Sequence, residues 1–246
     1  MTFLVNKVMI LLSISDRFII LSEIHTNLPM TKEFAVAHFN FEYSDDEEEN
    51  VIDYANNSYW DERYQRQHET SFDWYLHWKD LSPYLTNYLN KNGSTLVIGC
   101  GNSSMSEKLL NDGFDAIYNI DISPTVIEQM SQKYKDKPKL IWEVMDCTNL
   151  SYSDETFVSI FEKGTLDALL CNKSNEFVNK TLHEIYRVLS KNGKFFSITF
   201  GTPSSRLTIF KNVKLNWYLH PPIPFHYECE NFKATKSYLY IFEKTH

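Results

Sequence analysis

Paired cysteines, a basic stripe and long apolar runs are all missing from this chain of 246 residues. Cys100, Cys147, Cys171 and Cys229 stand far apart with no C-x-x-C pair, which argues against a disulfide scaffold or a zinc ribbon. They read as reduced, mostly buried thiols of a cytoplasmic protein. Lysine and arginine number 24 against 32 aspartates and glutamates, a formal charge of −8. Without a compensating basic stripe, binding to nucleic acid through its phosphates is disfavoured. From Phe3 to Ile24 the chain is rich in Leu, Ile and Val, but Lys7, Asp16, Arg17 and Glu23 interrupt it well short of the roughly 18 apolar residues of a membrane span. No small-x-small cleavage site follows Val8–Ile14, so a signal peptide is a poor match and no membrane partner is expected. The histidines, His220 and His226 included, lack partners at metal-ligand spacing, and no metal is expected. No internal repeat is visible.

What is present falls into two parts. Residues 1–50 read as an amino-terminal extension and acidic linker without a fold of its own, and residues 51–246 as one domain. The acidic run Asp45, Asp46, Glu47, Glu48 and Glu49 has the composition of a solvated linker; its second reading is an electrostatic lure for a basic partner. Outside that run the chain is close to neutral. Met30 precedes the polar segment leading into the domain, so residues 1–29 are expected to be an upstream extension, the alternative being a short amphipathic or targeting segment.

Past the linker the pattern becomes regular. Ser58 followed by Tyr59-Trp60-Asp61-Glu62-Arg63-Tyr64 reads as an N-cap opening a helix, with Trp60 and Tyr64 on one face. Trp74, Trp78, Leu81, Leu85 and Tyr88 predict a second helical stretch from about Phe72, broken before Pro83. Short apolar strands then alternate with helices. Strands are expected at Thr95–Ile98, Ala116–Ile120, Leu140–Met145, Phe157–Phe161 and Lys194–Phe200, with intervening helices near Met105, from Pro124, and over Glu176–Leu189. Residues 213–219 and 237–243 complete a seven-stranded sheet as an antiparallel edge. The fold class is therefore α/β: a doubly wound, mostly parallel, Rossmann-like sheet that binds ligands at the carboxyl ends of its strands.

Those ends carry a pattern. Gly99-Cys100-Gly101 follows the first strand, but Ser104 stands where a dinucleotide-binding loop has its third glycine. Asp121, Asp146 and Glu162 end three successive strands. A loop that lets backbone approach a ligand without cradling phosphate, followed by acids placed for a ribose diol and an adenine amino group, suits S-adenosyl-L-methionine. Each carboxylate alone could equally be a helix cap; the series is more specific.

The loop Leu96–Ser103, the segment Phe161-Glu162-Lys163-Gly164-Thr165-Leu166-Asp167-Ala168 and the upstream Tyr59–Tyr64 resemble the class I, seven-strand methyltransferases, and within them the lysine methyltransferases of translation elongation factor 1-alpha. The resemblance covers about residues 58–200 and marks 51–246 as the methyltransferase domain. It implies that Gly99 and Gly101 lie along the cofactor, Asp121 takes the ribose diol, Ile122 packs on the adenine, and Asp146 and the Cys147 N–H meet its edge. It places Lys163 in the cofactor shell, where it would meet the methionine carboxylate or pair with Glu162. Trp60, Tyr64 and Trp74 match positions that fold over the cofactor as a lid; the alternative is that these rings pack an amphipathic helix into the core. Glu162 is the carboxylate expected to hold and orient an incoming amine. The implied activity is protein-lysine N-methylation of elongation factor 1-alpha by a monomer. The connection between Leu170 and Leu182 is shorter than in relatives, which bears on the acceptor. Two alternatives stay open: a small-molecule or lipid methyltransferase, which an acceptor pocket of Trp217, Tyr218 and Phe225 would favour, and a binding module without turnover.

Overall fold

A computed structural model describes residues 10–14, 17–21, 54, 56–66, 71–171, 174–229 and 232–245. The chain divides into two units, Met1–Ile52 and Asp53–His246. In the first, β1 (Ile10–Ile14) pairs antiparallel with β2 (Arg17–Leu21), where no strands are expected from the sequence pattern. Two short runs rich in Ile and Leu, two residues apart, have the spacing of a hairpin. The acidic run and the junction at Met30 lie outside the described residues.

The second unit begins with α1 (Asn57–Arg66) and α2 (Trp78–Leu85). Then come β3 (Ser94–Ile98), α3 (Met105–Asn111), β4 (Ala116–Asp121), α4 (Pro124–Lys133), β5 (Leu140–Val144) and β6 (Phe157–Lys163). They are followed by α5 (Thr165–Leu169), α6 (Glu176–Val188), β7 (Leu189–Thr199), α7 (Pro203–Asn212), β8 (Trp217–Leu219), β9 (Ile223–Cys229) and β10 (Phe232–Lys244). The sheet runs β5-β4-β3-β6-β7-β10-β8, with β9 also on β10. From β5 to β7 all pairings are parallel, and those of β10 are antiparallel.

The alternation of strands and helices thus predicts the parallel half correctly, and the edge needs correction. The sheet has eight strands, not seven. The additional strand, β9, begins just past Pro221-Pro222 and contains Pro224, residues that argue against a strand; it pairs on one side only, with β10. The expected strand at 213–219 shrinks to Trp217–Leu219, because Val213 caps a helix over 203–212 and Lys214 turns the chain at φ 53°. The stretch from Phe72 is not helical before Trp78, although Trp74 and Trp78 have helical spacing. There the chain bends instead, with Tyr75 in the left-handed region at φ 60° and the Leu76 N–H donating to the Trp74 carbonyl at 2.6 Å.

Side chains of β3 alternate between two cores, as strand geometry requires. Val97 packs with Tyr64, Trp78, Leu109, Val126 and Phe161 beneath α1 to α4, while Leu96 and Ile98 pack with Leu182, Ile185, Phe195 and Phe242 on the other face. Phe161 and Phe196 stack at 4.6 Å between centroids across neighbouring strands. Because β3 connects leftward to β4 and β5, and the chain returns to β6 on its right, the crevice at the carboxyl end of β3 is the topological switch point. Among the described residues no helix is long and apolar enough to cross a membrane.

Candidate active site

In sheet order, Asp146 lies just beyond β5, Asp121 ends β4, Gly99 follows β3 and Lys163 ends β6. Adjacent strands are about 4.8 Å apart, so this row spans about 14 Å. Above it lies a cavity of about 360 Å³ whose walls include all four residues, within the range of small-molecule sites.

The loop after β3 can only be built with glycine. Gly99 and Gly101 have φ of +59° and +50°, and a Cβ would fall 2.1 Å from Thr165 Oγ1 and 2.7 Å from Tyr64 Oη respectively. Thr165 Oγ1 donates to the Ile98 carbonyl at 3.0 Å, tying the start of α5 to the end of β3. Asp121 is buried and accepts from the Gly101 N–H at 2.9 Å and the Ser123 N–H at 3.1 Å. Burial pushes its carboxyl up, opposed by those backbone donors. A carboxylate has about four acceptor sites, so the backbone donors leave acceptor capacity for a ligand. Asp146 is exposed, with Oδ1 accepting from the Thr148 N–H at 2.8 Å. Ile122 and Cys147 also line the cavity. Burial pushes the Cys147 thiol up to about 12, which keeps it protonated near neutral pH.

The three upstream aromatics converge here. Trp60 stacks on Tyr64 at 6.3 Å and meets Trp74 edge-on at 6.4 Å, and all three line the cavity. Tyr64 is at the same time part of the core beneath it, so wall and core share this ring. Phe72, which the sequence does not single out, extends the wall. Two aspartates escape sequence reasoning altogether. Asp61 looks like a first-turn acid of its own helix, yet it accepts from Ser123 Oγ at 2.6 Å and the Thr125 N–H at 3.2 Å, pinning α1 on the start of α4. Asp73 accepts from Lys163 Nζ at 2.9 Å, from Ser104 Oγ at 3.1 Å and from Ser103 Oγ. Burial pushes the Asp73 carboxyl up, but the Lys163 ammonium and the hydroxyl donors outweigh it and hold it below the usual range. Lys163 also donates to the Trp74 carbonyl at 3.1 Å. Its carboxylate partner is thus Asp73 and not Glu162.

Glu162 requires the main correction. It is 1 % exposed and does not line the cavity. Its side chain turns down beside β7, where Oε1 accepts from Ser197 Oγ and Oε2 from the Leu166 N–H at 3.2 Å, capping α5 from below. Burial and the nearby Asp167 push its carboxyl up to about 8, against the Ser197 and Leu166 donors. Both of its oxygens are thus engaged inside the fold rather than offered to the cavity wall. Asp167 is equally structural: it accepts from Tyr75 Oη at 2.8 Å, the Phe200 N–H at 3.2 Å, Thr199 and Arg206. Glu162 to Ala168 is therefore a junction that fixes the bent segment 71–77 beside the cavity. Trp217, Tyr218 and Phe225 do not line it; Trp217 packs on Phe242 at 4.6 Å, and Phe225 meets Tyr84 at 4.9 Å.

The geometry fits an adenosine ligand with an amino-acid tail: a carboxylate with spare acceptors at the second strand, an acid and backbone at the third, and a glycine loop that any Cβ would obstruct. Residues 96–197 match the family described as "Methyltransferase domain". The chain is 31% identical over 181 residues to EEF1A lysine methyltransferase 4 of Mus musculus, covering 70% of this chain and 71% of that protein. It is 36% identical over 153 residues to the mouse eEF1A lysine and N-terminal methyltransferase, but spans only 22% of that longer protein. Among solved structures, a SAM-dependent methyltransferase of Methanosarcina mazei superposes with a TM-score of 0.57 at 15% identity, over 66% of this chain and 97% of that one.

Proposed function

The chain belongs to the class I methyltransferases, with S-adenosyl-L-methionine as cofactor, and we propose that it methylates a lysine side chain of a folded protein, translation elongation factor 1-alpha. When bound, the cofactor supplies an electrophilic methyl carbon on a sulfonium; everything else falls to this chain's residues. In this reading Asp121 accepts the ribose hydroxyls, through charge-assisted bonds, with the sites that Gly101 and Ser123 leave open. Asp146 and the Cys147 backbone take the adenine edge, and Ile122 covers its face. Gly99 lets the loop backbone run beside the amino-acid tail.

The observation that carries the lysine reading is the aromatic wall of Trp60, Phe72 and Trp74 on the cavity. Ring faces attract an alkylammonium, and their apolar surroundings remove its water. Desolvation lowers an amine's pKa, which favours the neutral form that has a lone pair to donate. The same wall excludes water and aligns nucleophile with methyl. With Glu162 buried on Ser197 and the Leu166 N–H, the amine's proton leaves to solvent before transfer, and no carboxylate base is assigned. The names of the relatives support elongation factor 1-alpha as acceptor.

Incubation of the full chain with methyl-labelled cofactor and a cell extract tests the acceptor class. Label should enter protein and appear in methyl-lysine after complete hydrolysis. Label confined to small molecules or lipids would replace this reading with the small-molecule alternative.

A further inference from the structure

The cofactor cavity has two cationic side chains in its wall, Arg63 and Lys163. The Lys163 charge is answered by Asp73 at 2.9 Å, both side chains being buried. The charge on Arg63 is not. Among the described residues no carboxylate lies within ion-pair distance of it, and its one hydrogen bond there runs from Nη1 to Tyr59 Oη at 3.3 Å. Aromatic rings hold it instead: its guanidinium carbon is 5.4 Å from the centroid of Trp74, 5.5 Å from Phe72 and 5.7 Å from Trp60. Ring faces attract the cation but are weak acceptors, and a guanidinium carries five N–H donors in a fixed fork. A half-buried cation, positioned by three rings and with most of its donors unspent, is a preformed site for one carboxylate.

Its place in the cavity says which carboxylate. Asp146 and Asp121 mark the β5 and β4 end. Trp74, against which Arg63 rests, lies at the β6 end: its carbonyl accepts from Lys163, and its ring would be 3.6 Å from a Cβ on Gly164. A cofactor with its adenosine over Asp146 and Asp121 must direct its amino-acid tail toward β6. The tail holds the only carboxylate of S-adenosylmethionine. We propose that Arg63 binds the α-carboxylate of the cofactor's amino-acid tail, with Trp60, Phe72 and Trp74 fixing the guanidinium for that contact. The inference rests on the assignment of Asp121 and Asp146 to the adenosine half. It gives the aromatic wall a second task, since rings that receive the substrate amine on one side would position the cofactor's anchor on the other.

Isothermal titration of the full chain with two ligands separates this from a packing role. S-adenosylhomocysteine carries the tail; 5′-methylthioadenosine has the same thioether-linked adenosine and ends in a methyl group. Arg63→Met should weaken S-adenosylhomocysteine about tenfold to a hundredfold, the range for losing a charge-assisted bidentate contact, and change methylthioadenosine by less than about twofold. Arg63→Lys should recover part of the loss. An equal loss of both ligands would make Arg63 a brace for the wall and overturn the proposal, as would unchanged binding of S-adenosylhomocysteine. Asp121→Ala tests the premise separately, because it should weaken both ligands alike. If it weakens neither, the placement of the adenosine half fails and this inference fails with it, whatever Arg63→Met does.

Discussion

Glu162 stands in the most conspicuous motif of the chain, yet its side chain lies inside the fold and not in the cavity wall. Its carboxyl is buried between Ser197 and the first turn of α5, with the Leu166 N–H as a second donor, and is pushed up to about 8 by burial and by Asp167. An ordinary glutamate in the unfolded chain titrates near 4.3. The folded form therefore binds a proton more tightly than the unfolded one, so this group's stabilising contribution is complete below the unfolded pKa and is lost as pH rises to about 8. Glu162→Gln removes the titration while keeping size and one acceptor. The difference in unfolding free energy between wild type and Glu162→Gln, taken from urea midpoints, should shift in the variant's favour by a few kcal/mol across that window and flatten above it. A difference that stays constant with pH would show that Glu162 does not carry the raised pKa. Cofactor affinity of the variant should stay close to wild type, because the side chain does not line the cavity.

The motif around Glu162 earns its specificity as a structural element. Gly164 enters α5 in the left-handed region at φ 87°, Thr165 ties α5 to β3, and Asp167 gathers Tyr75, Thr199, Phe200 and Arg206. Asp167 and Arg206 are both largely buried, so removing one strands the other's charge. Asp167→Ala should lower stability by roughly 3–5 kcal/mol, and adding Arg206→Met should restore much of it. Chemical denaturation of the single and double variants checks this; a double variant as unstable as the sum of both singles would mean the pair is not coupled. The alternation of β3 to β7 with helices is readable because fully buried parallel strands are short apolar runs between turn signals, as Thr95–Ile98 and Phe157–Phe161 are. The segment 71–77 is not readable. Trp74, Trp78 and Leu81 have helical spacing, but what holds the segment before Trp78 out of a helix is Asp73 meeting Lys163, 90 residues away, together with Ser103 and Ser104. Local periodicity carries no trace of a partner so distant. β9 stays hidden for a different reason, since its proline is tolerated only because the strand pairs on one side.

At the scale of the whole molecule, the row Asp146, Asp121 and Gly99 is legible from spacing, because each ends or follows a strand and the sheet aligns those ends; Lys163 joins it only through the family resemblance, since the sequence pattern ends that strand on Glu162. The closed side of the cavity is not legible, because α1 and the segment 71–77 reach it from outside the strand–helix alternation. The account predicts an enzyme whose row of strand ends holds the cofactor and whose aromatic wall admits a lysine side chain from a folded partner. Intact-mass spectrometry of purified elongation factor 1-alpha, after incubation with the full chain and S-adenosyl-L-methionine, tests this most directly. The predicted result is mass steps of one methyl group that map to a lysine and vanish when that lysine is changed to arginine. An elongation factor 1-alpha that stays unmodified, while the same preparation binds S-adenosylhomocysteine and methylates another molecule in extract, would contradict the account.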